Sequence, residues 1–420
     1  MTETSLPSPD RAGPADEAGR SGLSRRHLLT GGVAAASGAV LAGAGYTLAR
    51  ATEPEPAAPD AVGQAREPFH GPHQAGVATA AQAVGTFIAF DLSPDTGVEA
   101  LRRLMLLWTE DARRLTQGTP TLADTEPELA QVPARLTVTV GYGPGVFSLP
   151  GLADQRPDWL APLPAFPTID QLEERWSGGD LLLQLGADDP LTLAHAQRMM
   201  TKSARPFATV RWVQPGFTHS PGSVPAGSTP RNLMGQVDGT ANPTPGTPEF
   251  DRIVWSATGP DWVRGGTGVV IRRIRMELDT WDAMERSDKE QVIGRRLDTG
   301  APLTGTQEHD APDFEATGPD GLTVIPDFAH IRIAHSDSPS MQFLRRPLSF
   351  DNGLGNDARP DVGLLFVAYA ADLTAQFLPI QQRLAENDLF NTWTTPIGSA
   401  VFAIPPGCDP DGFIGDTLLG

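Results

Sequence analysis

The chain has 420 residues, 40% of them hydrophobic and 20% charged, a balance that fits a globular protein long enough to bury a sizeable core. Its formal net charge of -19 repels nucleic acid and anionic headgroups, so no nucleic-acid partner is expected. The single cysteine, Cys408, excludes an intramolecular disulfide and makes thiolate ligation of a metal a poor option.

The chain begins with a polar stretch ending in Ser24-Arg25-Arg26-His27-Leu28-Leu29, then a weakly hydrophobic Ala/Gly-rich run from Leu28 to Ala49. The pattern is similar to a twin-arginine export signal over residues 1–51, with a small-x-small cleavage site at Ala49-Arg50-Ala51. Export to the periplasm, the cell envelope or the medium is expected, with an uncleaved anchor as the alternative. Residues 52–68 are rich in Pro and Ala and read as a disordered linker.

A first block, residues 69–217, carries strand-like runs at Thr86–Phe90, Leu136–Val140, Asp180–Leu185 and Ala208–Trp212, with helical stretches at Val98–Leu115 and Leu191–Lys202. A loop-rich bridge follows at residues 218–265. A second block, residues 266–420, repeats the order: Gly268–Met276, a helix near Asp288–Arg296, Leu364–Tyr369, a helix near Phe377–Glu386, and Ala400–Ile404. Periodicity alone gives an α+β fold built from two similar arrays.

Three segments carry candidate chemistry. The bridge holds Gly235-Gln236-Val237-Asp238-Gly239-Thr240, which sets one carboxylate in a glycine-flanked backbone. Asp327-Phe328-Ala329-His330-Ile331-Arg332-Ile333-Ala334-His335 supplies an imidazole in what alternation reads as a strand, and Leu344-Arg345-Arg346-Pro347 supplies guanidinium groups. Taken singly, each has an ordinary explanation: Asp-Gly is a common turn, a strand histidine is usually core, and paired arginines usually solvate a surface.

Their order, acid then histidine then Arg-Arg, resembles the dye-decolourising peroxidases, which are haem enzymes. The resemblance extends to Phe69-His70-Gly71-Pro72-His73-Gln74-Ala75-Gly76, to Trp281 with Ile293-Gly294-Arg295-Arg296, and to Gln376-Phe377-Leu378-Pro379-Ile380-Gln381. It is strongest with the exported twin-arginine branch, which includes deferrochelatase/peroxidase proteins. It implies two ferredoxin-like halves in a dimeric α/β-barrel-type haem peroxidase fold, with their sheets face to face and one haem b per chain beside the second.

On that resemblance His330 is the iron ligand. Asp238 carries a proton on the opposite face and Arg345 stabilises developing charge, with Arg346 as second choice. Gly239, Thr240, Ala241, His335 and Ser336 contact the haem, and His335 ranks below His330 as ligand. In the family's commoner form a proline stands at Ser336, so this loop departs from it. His330, Arg345 and Leu365-Phe366 are expected to line one cavity.

The implied reaction reduces hydrogen peroxide and, through a ferryl intermediate, oxidises bulky dye-like or phenolic donors. An aspartate, with an ordinary pKa of about 3.9, favours acidic conditions for it. The twin-arginine export machinery and an iron- or copper-handling neighbour are the other implied partners. Removal of iron from haem within an uptake system is the alternative function, and a non-catalytic haem-binding module the less favoured one. The remaining histidines, His70, His73, His195, His219 and His309, show no metal-site spacing.

Overall fold

The structure is a computed structural model that describes residues 62–225, 227–336, 338, 340–355 and 359–420. The segment expected to be an export signal and most of the expected linker therefore lie outside the described residues. The linker's last residues are pinned rather than loose: Arg135 donates its backbone N–H to Ala65 O at 2.7 Å and pairs with Glu67 at 2.8 Å.

Nine strands are present among the described residues: β1 (Val84–Leu92), β2 (Thr137–Tyr142), β3 (Leu181–Ala187), β4 (Ala208–Phe217), β5 (Thr267–Met276), β6 (Leu344–Arg345), β7 (Leu348–Leu354), β8 (Pro360–Ala370) and β9 (Thr394–Ile404). The first four run in the order β2-β3-β1-β4. Helix Val98–Leu115 follows β1, and helix Pro190–Ala204 follows β3. This is the βαββαβ pattern of a ferredoxin-like unit. The second half repeats it as β9-β5-β8-β7, with β6 continuing β7 along the same edge of β8.

Each element follows from its local sequence. In Val98–Leu115 the buried residues Leu101, Leu104, Met105, Trp108, Ala112 and Leu115 recur at helical spacing and form one apolar stripe. Pro190 opens the second helix at a position where no backbone donor is missed, and the Asp189 carboxylate accepts from Thr192 N at 2.7 Å as its cap.

The two sheets do not merely face each other. They join at both edges through single register pairs, Tyr142 with Ala403 and Phe217 with Ser349. With β5 also paired to β8, the strands close into an antiparallel barrel. Alternate residues from both halves fill its interior, among them Phe87, Leu182, Trp212, Ile271, Leu365, Val367, Tyr369 and Phe402. A separate cluster lies behind the second sheet, where Met234, Met276, Trp281, Val292, Ile293 and Leu364 pack with Ile331, Phe366 and Phe390.

Candidate active site

The Asp238 loop is built as a locked turn. Asn232 Oδ1 accepts from Met234 N at 3.0 Å and from Gln236 N at 3.3 Å, and Asn232 N donates to Gln236 O at 3.0 Å. Arg231 clamps the turn from outside through the carbonyls of Gly235, Leu297 and Asp298. Asp238 N then donates to Pro230 O at 2.8 Å, which fixes the acid's backbone. Gly239 has a φ of 131°, and a Cβ there would meet only ordinary contacts at 3.4 and 3.5 Å. Backbone conformation rather than crowding is what requires glycine.

Arg345 Nη1 donates to Asp238 Oδ1 at 2.8 Å, across 107 residues of sequence. Asn242 holds the two segments together: its Oδ1 accepts from Arg345 N at 2.9 Å and its Nδ2 donates to Arg345 O at 2.7 Å. The sequence reading did not single out Asn242, and its place four residues after the acid is the only local signal. Glu308 supports the loop from beneath, accepting from Thr229 Oγ1 at 2.6 Å and Thr240 Oγ1 at 2.9 Å.

His330 does not sit on a strand. It opens the short helix His330–Ala334, which begins after Ala329 N closes a turn on Pro326 O at 3.1 Å. The alternation of Ile331 and Ile333 has another origin. The helix is packed on two sides, with Ile331 on the cluster behind the second sheet and Ile333 buried at 9% exposure.

His330 Nδ1 lies 2.6 Å from Asp388 Oδ2, and the Asp388 side chain is only 3% exposed. Asp388 sits where helix Leu378–Asn387 ends, and its other carboxylate oxygen accepts from Phe390 N at 3.0 Å. Phe390 places its ring edge-on to the imidazole at 5.5 Å. Burial disfavours the charged ring, but Asp388, by charge and by hydrogen bond, outweighs it and raises the imidazole pKa. Arg345 opposes that rise and Asp238 assists it, so the fields of both reach His330.

The other expected site residues are spread more widely. The Thr240 hydroxyl is turned to Glu308, and Ala241 is exposed. His335 lies at the far end of the short helix, exposed, with its ring 5.0 Å from Phe314. Ser336 Oγ accepts from Ser338 N at 3.2 Å. The Arg346 guanidinium donates to Thr79 O and forms no ion pair with a carboxylate among the described residues. Asp238 is thus paired with the first arginine, not the second.

Leu365 and Phe366 do not share a face, so the lining expected around His330, Arg345 and Leu365-Phe366 is divided between the barrel interior and its outer side. Asp238, Gly239, Asn242 and Arg345 border a cavity of about 270 Å³ at the barrel mouth that includes none of His330, Leu365 and Phe366. Strand pleat separates the last two: Leu365 points into the barrel, while Leu364 and Phe366 join the cluster behind the sheet. Leu364 also borders a small pocket with Asp238, which places the Leu364 and Phe366 face on the acid's side.

The donor set suits haem. With Nδ1 engaged by Asp388, His330 keeps Nε2 as its free ligating nitrogen, and a carboxylate-backed imidazole is a basic ligand that favours oxidised iron. Beside Asp238, both polar atoms of Gln236 are buried with no protein partner, an orphaned amide that a bound group would satisfy.

A closed barrel of two ferredoxin-like halves, carrying a carboxylate–guanidinium pair and a carboxylate-backed histidine, defines the class as a haem peroxidase. The N-terminal domain of the Dyp-type peroxidases matches residues 74–218 and their C-terminal domain residues 229–409. The chain is 39% identical to a dye-decolorizing peroxidase of Thermobifida fusca (strain YX), over 92% of this chain and 95% of that protein. It is 35% identical to a deferrochelatase of Escherichia coli (strain K12), over 96% and 99% respectively. A DyP-type peroxidase crystal structure from Cellulomonas bogoriensis superposes with a TM-score of 0.82 at 49% identity, covering 86% of this chain and 99% of that one. The chain belongs to the Dyp-type peroxidase family, and haem is its cofactor.

Proposed function

We propose that Asp238 and Arg345 carry the peroxide chemistry of this enzyme and that His330 is its iron ligand. The observation behind this reading is the 2.8 Å Arg345–Asp238 pair, whose charges reach a histidine backed by Asp388. Peroxide cleavage needs a carrier for one proton and a fixed cation while the O–O bond breaks unevenly. Haem, when bound, supplies the electrons that break the bond. Asp238 takes the proton from the inner oxygen and returns it to the outer one, which leaves as water. Arg345 stabilises the negative charge that builds in between, with a planar donor fork that lysine lacks.

His330 is favoured over His335 because a buried carboxylate, Asp388, stands against its Nδ1. Gly239, Thr240, Ala241, His335 and Ser336 flank the haem in this reading, chiefly through backbone. The reductants are organic, with bulky dye-like molecules oxidised at the surface. Export by the twin-arginine route follows from Arg25-Arg26 and the weakly apolar run after it.

Stopped-flow mixing of haem-loaded protein with hydrogen peroxide tests the assignment. The resting Soret band should change within milliseconds, and Asp238→Ala and Arg345→Ala should each slow that change markedly. An unaltered rate in both variants would remove these residues from the chemistry. The 35% identity to a deferrochelatase supports a second reading, removal of iron from haem. The porphyrin product separates the two: turnover as a peroxidase keeps the iron, whereas iron removal releases fluorescent protoporphyrin.

A further inference from the structure

The cavity at the barrel mouth has its own chemistry. Its walls are apolar at Val77, Val84, Phe87, Leu344 and Leu348, and Arg346 lines it together with the Asp238–Arg345 pair. Most of its other polar groups are already committed. Tyr369 Oη donates to Gln184 Oε1 at 2.6 Å, Gln184 Nε2 donates to Gly76 O at 2.9 Å, and Gln82 Nε2 donates to Gly186 O at 2.9 Å.

Arg346 is the exception. Of its five guanidinium N–H donors one is engaged, by the Thr79 carbonyl, and it has no carboxylate partner among the described residues. Burial disfavours its charge; Tyr369 opposes that penalty, Arg135 adds to it, and Glu67, itself paired with Arg135, offsets it in part. A half-buried cation with unused donors, set among apolar walls, is completed by an anion with an apolar body. At about 270 Å³ the cavity is smaller than a drug-sized pocket and suits a single substituted ring.

We propose that this chamber binds a one-ring phenolic carboxylate, its carboxylate on Arg346 and its ring against Phe87 and Leu348, as a reducing substrate of the peroxidase. The proposal rests on the peroxidase reading and adds to it a site, and the carboxylate by which that site selects among phenolic donors. Per peroxide, two such donors each lose one electron and the phenolic proton and leave as phenoxyl radicals. The peroxide takes both electrons and both protons and becomes two waters. The Asp238–Arg345 pair borders the same chamber, so the donor sits next to the proton-carrying group.

Calorimetric titration of the haem-loaded protein with 4-hydroxybenzoate and with its methyl ester tests the site without turnover. The acid should bind more tightly than the ester, Arg346→Gln should weaken the acid at least about tenfold, and Arg346→Lys should keep it within a few fold. Equal binding of acid and ester, or equal weakening by both variants, overturns the chamber's assignment. Peroxide-dependent bleaching of a bulky dye by the unsubstituted enzyme separates the two ideas. Bleaching without acid binding sinks the chamber alone, and no peroxide-dependent oxidation of any donor sinks the peroxidase reading with it.

Discussion

Asn242 engages both backbone polar groups of Arg345, accepting its N–H at 2.9 Å and donating to its carbonyl at 2.7 Å. Since Asn242 N is itself bonded to Gly239 O at 2.9 Å, the acid loop and the arginine strand are fastened as one piece. Positioning to within a fraction of an ångström is what makes a proton carrier effective.

Asn242→Ala should therefore slow the peroxide reaction by about tenfold or more while leaving Asp238 and Arg345 chemically intact. The two lost hydrogen bonds should also cost about 2 kcal/mol of stability. Stopped-flow rates and chemical denaturation check the two effects separately, and a wild-type rate would show that the pair holds without its fastener.

Arg345→Lys keeps the charge but not the planar fork that meets Asp238 Oδ1. We expect it to recover only part of the loss of about 10² or more in Arg345→Ala, as measured by the rate of the Soret change after peroxide mixing. Full recovery would mean that charge alone suffices.

Asp388→Asn removes the carboxylate against His330 Nδ1 but keeps a side chain of the same size. The imidazole becomes a weaker base, so the ferric–ferrous potential should move upward and haem affinity should fall by about 10–100-fold. Spectroelectrochemistry and haem transfer to a scavenger apoglobin measure these. An unchanged potential would reduce Asp388 to a structural cap for the turn at Phe390.

Cys408 is buried, and burial, with Asp416 and Asp409 adding like charge, pushes its thiol up to about 11 from 9.0. The protonated form is favoured in the folded state, so this contribution to stability is complete below pH 9 and is lost as pH rises through 11. Iodoacetamide at pH 8 should leave the native thiol unmodified and label it readily after unfolding. Rapid native labelling would contradict this placement.

Much of this protein is legible along the chain because local periodicity records which face is buried. The run Val98–Leu115 reads as a helix since its apolar residues recur every three or four positions, and that is its extent in the structure. The carboxylate of Asp238, the imidazole of His330 and the guanidinium of Arg345 stand out because glycine flanks, order and spacing are also sequence properties. The helix of His330 is misread for the same reason: two-sided packing of one short turn imitates the alternation of a strand.

Partnership between distant residues leaves no such local trace. Asp388 carries no signal in the sequence that ties it to the site, yet it lies 2.6 Å from a histidine 58 residues earlier. Asn242 looks like loop punctuation until Arg345, 103 residues away, is brought against it. The sequence by itself determined which groups are available for chemistry and which elements carry them. The closing of two sheets into one barrel decided which groups meet, because a hydrogen bond or an ion pair depends on distances that only the folded chain sets.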